Sequence, residues 1–510
     1  YIVFMMYLYT ETVSFYNHPL IMSYSYFVIS VLLISLLVII NQFVTAYYRW
    51  LGFVISFALL LIFSLPFLPY FLYSIKYDQV ISQEVLFAFF QTNLNESIEF
   101  LSEFFKVDIV FCLLFYFTVL AFLLFKNTIK IEKYSFSLTL YVFINISCLL
   151  FLFFYFKKIN PVSLFLESEK NYTYELDLFK KIQKKRIASK KSFFASKEEK
   201  GETYVFVIGE ALNKSHMGLY GYFRNTTPEL DKLKEELIIF NQAYSNHTHT
   251  MLSLSQALTE ANQYNNKGYY KSLSIVEVFK KSGFQSYWLT NQGQKGGWDN
   301  LVSVIAANTD STYGYNKSIG RSTKTQNYDG VILTDFEKII NQKTIKNKVI
   351  FIHLMGSHFA YSSRYPKTFS WFKDDLFSEG LRTSTENIHL NEYDNSVRYN
   401  DYVISAILQI LKKKEGCSAF MYMSDHGEDV QNNKQHDFSQ FTFDMVQIPL
   451  VGWCSEQYKI KYREKYLELS KNRNSLFSND LFYETALGIT NVHTLSYDSL
   501  NDLSSSSYSL

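Results

Sequence analysis

The stretch Tyr204-Val205-Phe206-Val207-Ile208-Gly209-Glu210, continued by Ala211-Leu212-Asn213-Lys214-Ser215-His216-Met217-Gly218-Leu219-Tyr220-Gly221-Tyr222, decides the fold. Five apolar residues in a row, three of them β-branched, read as a buried strand of a parallel sheet. Gly209 permits a tight turn. Glu210 then places a carboxylate beyond the carboxyl end of the strand, where open α/β sheets hold their ligands. Taken alone, such a glutamate is usually just a solvated loop residue.

Two later stretches change that reading. In Cys417-Ser418-Ala419-Phe420-Met421-Tyr422-Met423-Ser424-Asp425-His426-Gly427-Glu428 another apolar strand ends in polar residues, now an adjacent Asp and His, both ordinary zinc ligands. Adjacent residues point apart on a strand, so Asp425 and His426 belong on the turn after it, which Gly427 would allow. The third stretch, Asn246-His247-Thr248-His249-Thr250-Met251-Leu252-Ser253-Leu254-Ser255, is rich in hydroxyls and imidazoles and leads into an apolar helical run. Glu210, Asp425, His426 and a hydroxyl on one metal make a site able to deprotonate an alcohol and hold a phosphate oxygen.

From Thr203 onward, apolar strands alternate with helical patterns, which predicts βαβ units and a mainly parallel sheet flanked by helices. Strands are expected at 204–208, 238–240, 285–289, 349–353, 418–423 and 448–451. Helices are expected at 227–235, 253–259, 274–281, 329–341 and 393–412. His353 falls inside a strand and reads as a packed residue. Ser504-Ser505-Ser506-Ser507 reads as a disordered end.

The first third differs sharply. Four apolar runs, 21–44, 51–73, 107–125 and 134–156, are long enough to cross a bilayer. Residues 1–9 are apolar but too few to cross a bilayer. Lysines at 126, 130 and 133 make that loop cytoplasmic, which puts 74–106 and everything after about 158 on the outer side. Segment 83–105 has apolar residues near helical spacing and reads as a helix or helix pair on the membrane surface. The domain plan is therefore 1–158 transmembrane, with an external amphipathic segment at about 75–106, then a linker at 159–202, a catalytic domain at 203–500 and a tail at 501–510. The linker carries Lys180-Lys181-Ile182-Gln183-Lys184-Lys185-Arg186, read as a polar tether helix or a contact for anionic headgroups.

A formal net charge of only +2 over 510 residues gives no case for nucleic acid. Of four cysteines, Cys112 and Cys148 lie in apolar runs. Cys417 and Cys454 sit beside predicted strands; a disulfide between them is open to them if those strands are neighbours.

The series Ile208-Gly209-Glu210, Leu219-Tyr220-Gly221-Tyr222, Arg224-Asn225-Thr226-Thr227-Pro228, His249-Thr250 and Ser424-Asp425-His426-Gly427-Glu428 resembles the membrane phosphoethanolamine transferases of the alkaline phosphatase and sulfatase superfamily. Order and spacing match over most of the chain, and the likeness is greatest to the lipopolysaccharide-core, heptose-directed branch. The resemblance implies five membrane spans, an alkaline phosphatase-like catalytic domain and a place in the bacterial inner membrane with that domain in the periplasm.

It also implies roles. Thr250 aligns with the family's nucleophile and supplies a fourth ligand to a Zn²⁺ held by Glu210, Asp425 and His426; an N-cap is the plainer reading of Thr250, and Thr248 is its local rival. His358 and His436 resemble histidines that hold phosphate oxygens or move protons. Asn291 and Lys295 resemble a substrate loop, and Thr92 and Glu96 a motif bordering the lipid headgroup. The expected donor is phosphatidylethanolamine among the inner-membrane lipids, and the acceptor a hydroxyl of lipopolysaccharide, on a core heptose or on lipid A. An arylsulfatase would need a Cys or Ser with Pro and Arg following, which the region around Thr250 lacks. A glycerophosphate transferase drawing on phosphatidylglycerol is the alternative.

Overall fold

The computed structural model describes residues 161–188, 193–294, 300–317, 327–373, 384–432, 434–436 and 441–509, with scattered positions between 48 and 118. The four apolar runs, segment 83–105, Thr92, Glu96, Lys295, Cys112 and Cys148 lie outside the described residues, apart from isolated helical positions at 50–58, 73, 86 and 111–118. Among the described residues no helix is long and apolar enough to cross a membrane. The chain divides into two compact units, the second of which takes in Tyr174–Leu510.

That second unit is built on a seven-stranded sheet. In chain order its strands are β1 (Thr203–Gly209), β2 (Ile238–Phe240), β3 (Gln285–Gln294), β4 (Ser311–Lys317), β5 (Lys348–His353), β6 (Ser418–Ser424) and β7 (Leu450–Cys454), arranged β2-β7-β6-β1-β5-β3-β4. β7 runs antiparallel to both neighbours and the other adjacent pairs are parallel. β1 lies at the centre, every residue buried, with Val205 opposite Ile350 on one side and Phe420 on the other. A strand covered on both faces has no polar side to show, which is why its sequence reads as an unbroken apolar run.

The two faces carry separate cores. Tyr204, Phe206 and Ile208 pack with α3 (Thr250–Ala257), α4 (Ile275–Lys281), α5 (Leu301–Ala307) and α10 (Phe482–Ile489). Val205 and Val207 pack with α6 (Ile332–Asn341) and the long α7 (Ser384–Lys412). α6 buries Ile332, Phe336, Ile339 and Ile340, a single helical face. Its end is held by Lys348, whose Nζ donates to the carbonyls of Ile339, Ile340 and Gln342. α4 opens with a reciprocal Ser274–Glu277 capping box. The remaining helices are α1 (Pro161–Ala188), α2 (Pro228–Lys232), α8 (Glu456–Lys461) and α9 (Arg463–Lys471).

One expectation needs correction, one open question is answered and one strand was not expected. The end of the chain is ordered: Leu503 is fully buried, Ser504 Oγ donates to both oxygens of Asp502, and Tyr508 packs against the core. The serines read as disorder because a short hydrogen-bonded turn has no apolar period. Cys417 and Cys454 are free thiols. β6 and β7 are neighbours, as expected, but the register sets Cys454 opposite Ala419 rather than Cys417. Edge strand β4 lies in Ser-Thr-Tyr-Gly-Tyr-Asn-Lys, too polar to have been read as a strand. Helix α1 covers much of the expected linker region, and Arg186 fastens it to the α4 region, its Nε 2.8 Å and Nη2 3.0 Å from the two Glu277 oxygens, with further donation to the carbonyls of Lys271 and Ser272.

Candidate active site

The ladder between β1 and β6 sets Gly209 opposite Ser424, so the next residue on each strand, Glu210 and Asp425, leaves the sheet side by side. The Asp425 amide donates back to the Gly209 carbonyl at 3.2 Å. Asp425 Oδ1 accepts from the amides of Ala211 (3.0 Å) and His426 (2.7 Å). That bond turns the chain so that His426 points to the same place as Asp425. Gly427 serves the turn by close approach: a Cβ there would lie 2.2 Å from the Asp444 carbonyl oxygen. The imidazole is oriented through Nδ1, 2.7 Å from the Gly427 carbonyl, which leaves Nε2 facing the carboxylates.

Ligand atoms of Glu210, Asp425 and His426 all lie within 4.8 Å of one another, and all three residues are buried. His426 Nε2 is 3.2 Å from Glu210 Oε1 and 3.5 Å from Asp425 Oδ2. Thr250 enters from the other side as the first residue of α3, its Oγ1 3.0 Å from Glu210 Oε1 and 3.5 Å from His426 Nε2. Thr250 makes no side-chain cap; His249 occupies the N-cap position. Thr248 Oγ1 is instead 2.9 Å from His249 Nδ1.

The electrostatics call for a cation. Burial and then Asp425 push the Glu210 carboxyl up to about 8. Burial pulls the His426 imidazole down, but Asp425 and Glu210 outweigh it and push it up. Asp425 Oδ2 is buried and accepts no hydrogen bond. A buried anionic oxygen without a donor is costly unless a positive charge meets it. Two carboxylates, an imidazole nitrogen and a hydroxyl oxygen are a donor set that fits zinc.

Around this centre the histidines gather. His436 lies with its ring 4.7 Å from that of His426 and 5.3 Å from that of His249. Its Nδ1 is 2.8 Å from Glu428 Oε2, while Glu428 Oε1 accepts from the Tyr361 hydroxyl at 2.5 Å. Burial, Arg364 and the neighbouring histidines hold His358 well below the usual imidazole range, and its Nδ1 has no hydrogen-bond partner. His353 is buried at the end of β5 and burial pulls it down to about 4. Asn291 is fully buried, its Nδ2 committed to Asp329 and to the Asn327 carbonyl, which leaves it no donor for a substrate. The donor that reaches the centre from this loop is the next residue, Gln292, with Nε2 3.0 Å from Glu210 Oε2.

Two further contributors gave little sequence signal. Glu428 stood in the quoted Asp-His-Gly-Glu run, and only its burial beside His436 shows what it does. Asn479 belongs to no motif, yet its Nδ2 donates to the Asp425 carbonyl at 2.7 Å and to Ser253 Oγ at 2.8 Å.

Residues 202–492 match the sulfatase family. The chain belongs to that family, within the alkaline phosphatase superfamily. It is 31% identical over 436 residues to "Phosphoethanolamine transferase EptC" of Escherichia coli strain K12, an alignment covering 79% of this chain and 74% of the relative. Among solved structures it is similar to the periplasmic domain of Escherichia coli EptC in complex with Zn, with a TM-score of 0.58 and 28% identity over 62% of this chain and 90% of that one. It shares its fold with the integral membrane lipooligosaccharide phosphoethanolamine transferase A of Neisseria meningitidis, with a TM-score of 0.64 and 19% identity over 97% of this chain and 94% of that one. Within its superfamily the chain is a phosphoethanolamine transferase.

Proposed function

We propose that the enzyme moves phosphoethanolamine from phosphatidylethanolamine to a hydroxyl of lipopolysaccharide, on a core heptose or on lipid A, through a phosphothreonine at Thr250. The observation that carries this reading is the meeting of Thr250 Oγ1 with Glu210 Oε1 at 3.0 Å beside Asp425 Oδ2, which accepts no hydrogen bond. Glu210, Asp425, His426 and Thr250 would hold the Zn²⁺. Bound there, the ion would lower the pKa of the threonine hydroxyl and draw charge from a phosphoryl oxygen.

The protein's own groups supply the rest. Thr250 Oγ attacks phosphorus, the bond from phosphorus to the glycerol oxygen breaks, and diacylglycerol leaves with a proton. The free amides at the start of α3 favour the anionic phosphate at Thr250. His358 and His436, held largely neutral by their surroundings in the first case and oriented by Glu428 in the second, take the proton of the incoming hydroxyl or give one to the departing oxygen. The acceptor oxygen then attacks the same phosphorus, and Thr250 is regenerated. Lipopolysaccharide as acceptor is supported by the name of an Escherichia coli relative, 28% identical over 280 residues, "Kdo(2)-lipid A phosphoethanolamine 7''-transferase". An anchored chain, with spans in 1–158 and the catalytic domain in the periplasm, keeps the site beside its lipid donor.

The test is intact-mass analysis of purified enzyme mixed separately with phosphatidylethanolamine and phosphatidylglycerol. A phosphoethanolamine adduct with the first lipid, absent in Thr250→Ala, is expected. A glycerophosphate adduct with the second lipid alone would move the assignment to the alternative donor, and an adduct persisting in Thr250→Ala would remove Thr250 as nucleophile.

A further inference from the structure

The end of β3 carries a side chain for which the proposed chemistry has so far given no role. The pairing of β3 with β4 is in register up to Thr290 and shifts before Gly293, an irregularity of the kind that re-aims side chains near active sites. Within it lies Gln292. Its Nε2 donates to Glu210 Oε2 at 3.0 Å and to the Leu354 carbonyl at 2.8 Å. The other oxygen of the same carboxylate, Oε1, faces Thr250 and His426. The two oxygens of Glu210 therefore have different surroundings: one is taken by an amide, the other is turned to the centre.

The position of Gln292 is itself closely held. Its backbone amide donates to Thr290 Oγ1 at 3.1 Å. The preceding Asn291 Nδ2 donates to Asp329 Oδ1 at 2.8 Å, and the two oxygens of Asp329 accept from the amides of Met355 and Gly356, each at 2.9 Å. Gly356 has φ +58° and rests directly on the Glu210 backbone, where a Cβ would come within 2.6 Å of the Glu210 carbonyl oxygen. The Ser357 amide closes the ring by donating to that carbonyl at 2.9 Å. Main chain and carboxylate of Glu210 are thus gripped from one connected network, and Gln292 is its contact with the carboxylate.

We infer that Gln292 is a positioning residue that holds Glu210 as a one-oxygen ligand and thereby sets how tightly the enzyme retains its metal. A neutral donor suits the task. Lysine or arginine would bring a competing positive charge, a carboxylate would repel Glu210, and an apolar side chain would leave Oε2 free to swing onto the ion or away from it. Outer partners that orient a ligand typically change metal affinity by about 10–100-fold when removed. The inference rests on the metal-site reading above.

The test is zinc competition against a chromogenic chelator, on the full chain in detergent micelles, for wild type, Gln292→Met and Gln292→Glu. Both variants should weaken zinc at least about tenfold. In Gln292→Met saturating zinc should restore most of kcat with KM for the donor lipid unmoved. Wild type and both variants binding zinc equally would overturn the inference and leave the metal site standing. Wild type taking up no zinc would overturn the metal reading itself. Should Gln292→Glu fail to fold, Gln292→Met alone decides.

Discussion

The side-chain amide of Asn479 donates to the carbonyl oxygen of Asp425 at 2.7 Å, across 54 residues of sequence. The same nitrogen reaches Ser253 Oγ at 2.8 Å, and Asn479 Oδ1 accepts from the Asn246 amide at 3.0 Å. Ser253, one turn along the helix from Thr250, itself donates to the Asp425 carbonyl at 2.7 Å, and Ser245 does so at 2.6 Å. Asn479 therefore pins the nucleophile's segment to the turn that carries Asp425 and His426.

Asn479→Ala should lower kcat by about 10-fold or more, because a small displacement of a reacting group is costly. KM should change little, and the unfolding free energy should fall by about 1–3 kcal/mol from buried groups left unpaired. Steady-state kinetics and thermal unfolding measure both. A normal kcat in a destabilised variant would show that Asn479 serves folding alone.

Zinc affinity should rise with pH. In the metal-free protein Glu210 is held up to about 8, and His426 is also raised, so at neutral pH the pocket carries protons that the metal must displace. Raising the pH weakens that competition, first at Glu210. Calorimetry at pH 7 in buffers of different ionisation enthalpy should register net proton release as the ion binds. A pH-independent affinity would contradict the assigned ligands.

Gly427→Ala should damage the centre while leaving its ligands intact in name. The added methyl would meet the carbonyl oxygens of Asp444 at 2.2 Å and Gln447 at 2.9 Å, both backbone. The turn must move, and with it the carbonyl that orients His426. Overpacking of this kind costs about 1–3 kcal/mol, and zinc retention should fall with it. Chelator competition together with a melting curve checks the pair.

Glu484→Gln should stabilise the protein at pH 8 and do nothing at pH 4. Burial, then Asp498 and Asp502, push the Glu484 carboxyl up to about 8 from an ordinary value of 4.5. A raised acid contributes stability below its unfolded pKa, and that contribution is lost as pH climbs through the folded value, here between about 4.5 and 8. The neutral amide keeps an oxygen for the Asp498 amide, which now donates to Glu484 at 3.1 Å, and has no charge to bury. The gain at pH 8 should be at least about 1 kcal/mol, read from denaturant unfolding at the two pH values.

How far the sequence could be read follows from where each signal resides. Strands buried on both faces, such as β1 and β6, announce themselves because nothing polar interrupts them, and the charged residues just past their ends stand out by contrast. Glu210, Asp425, His426 and Thr250 were legible for that reason and because their spacing matched a family. β4 was not, since an edge strand carries half its pairing and little burial. Gln292 was passed over for Asn291, one position earlier: an irregular stretch of strand hides which of two adjacent side chains turns inward. Asn479 offered nothing to read, because a hydrogen bond from a distant loop to a main-chain carbonyl requires only an amide at the right place in space.

Cys417 and Cys454, both free thiols, have a practical consequence. Nothing in the described part of the catalytic unit is cross-linked, so its native arrangement owes nothing to sulfur oxidation. It should mature without thiol oxidases or isomerases, survive strong reductant unchanged, and assemble as readily when produced in a reducing cytosol as in an oxidising compartment.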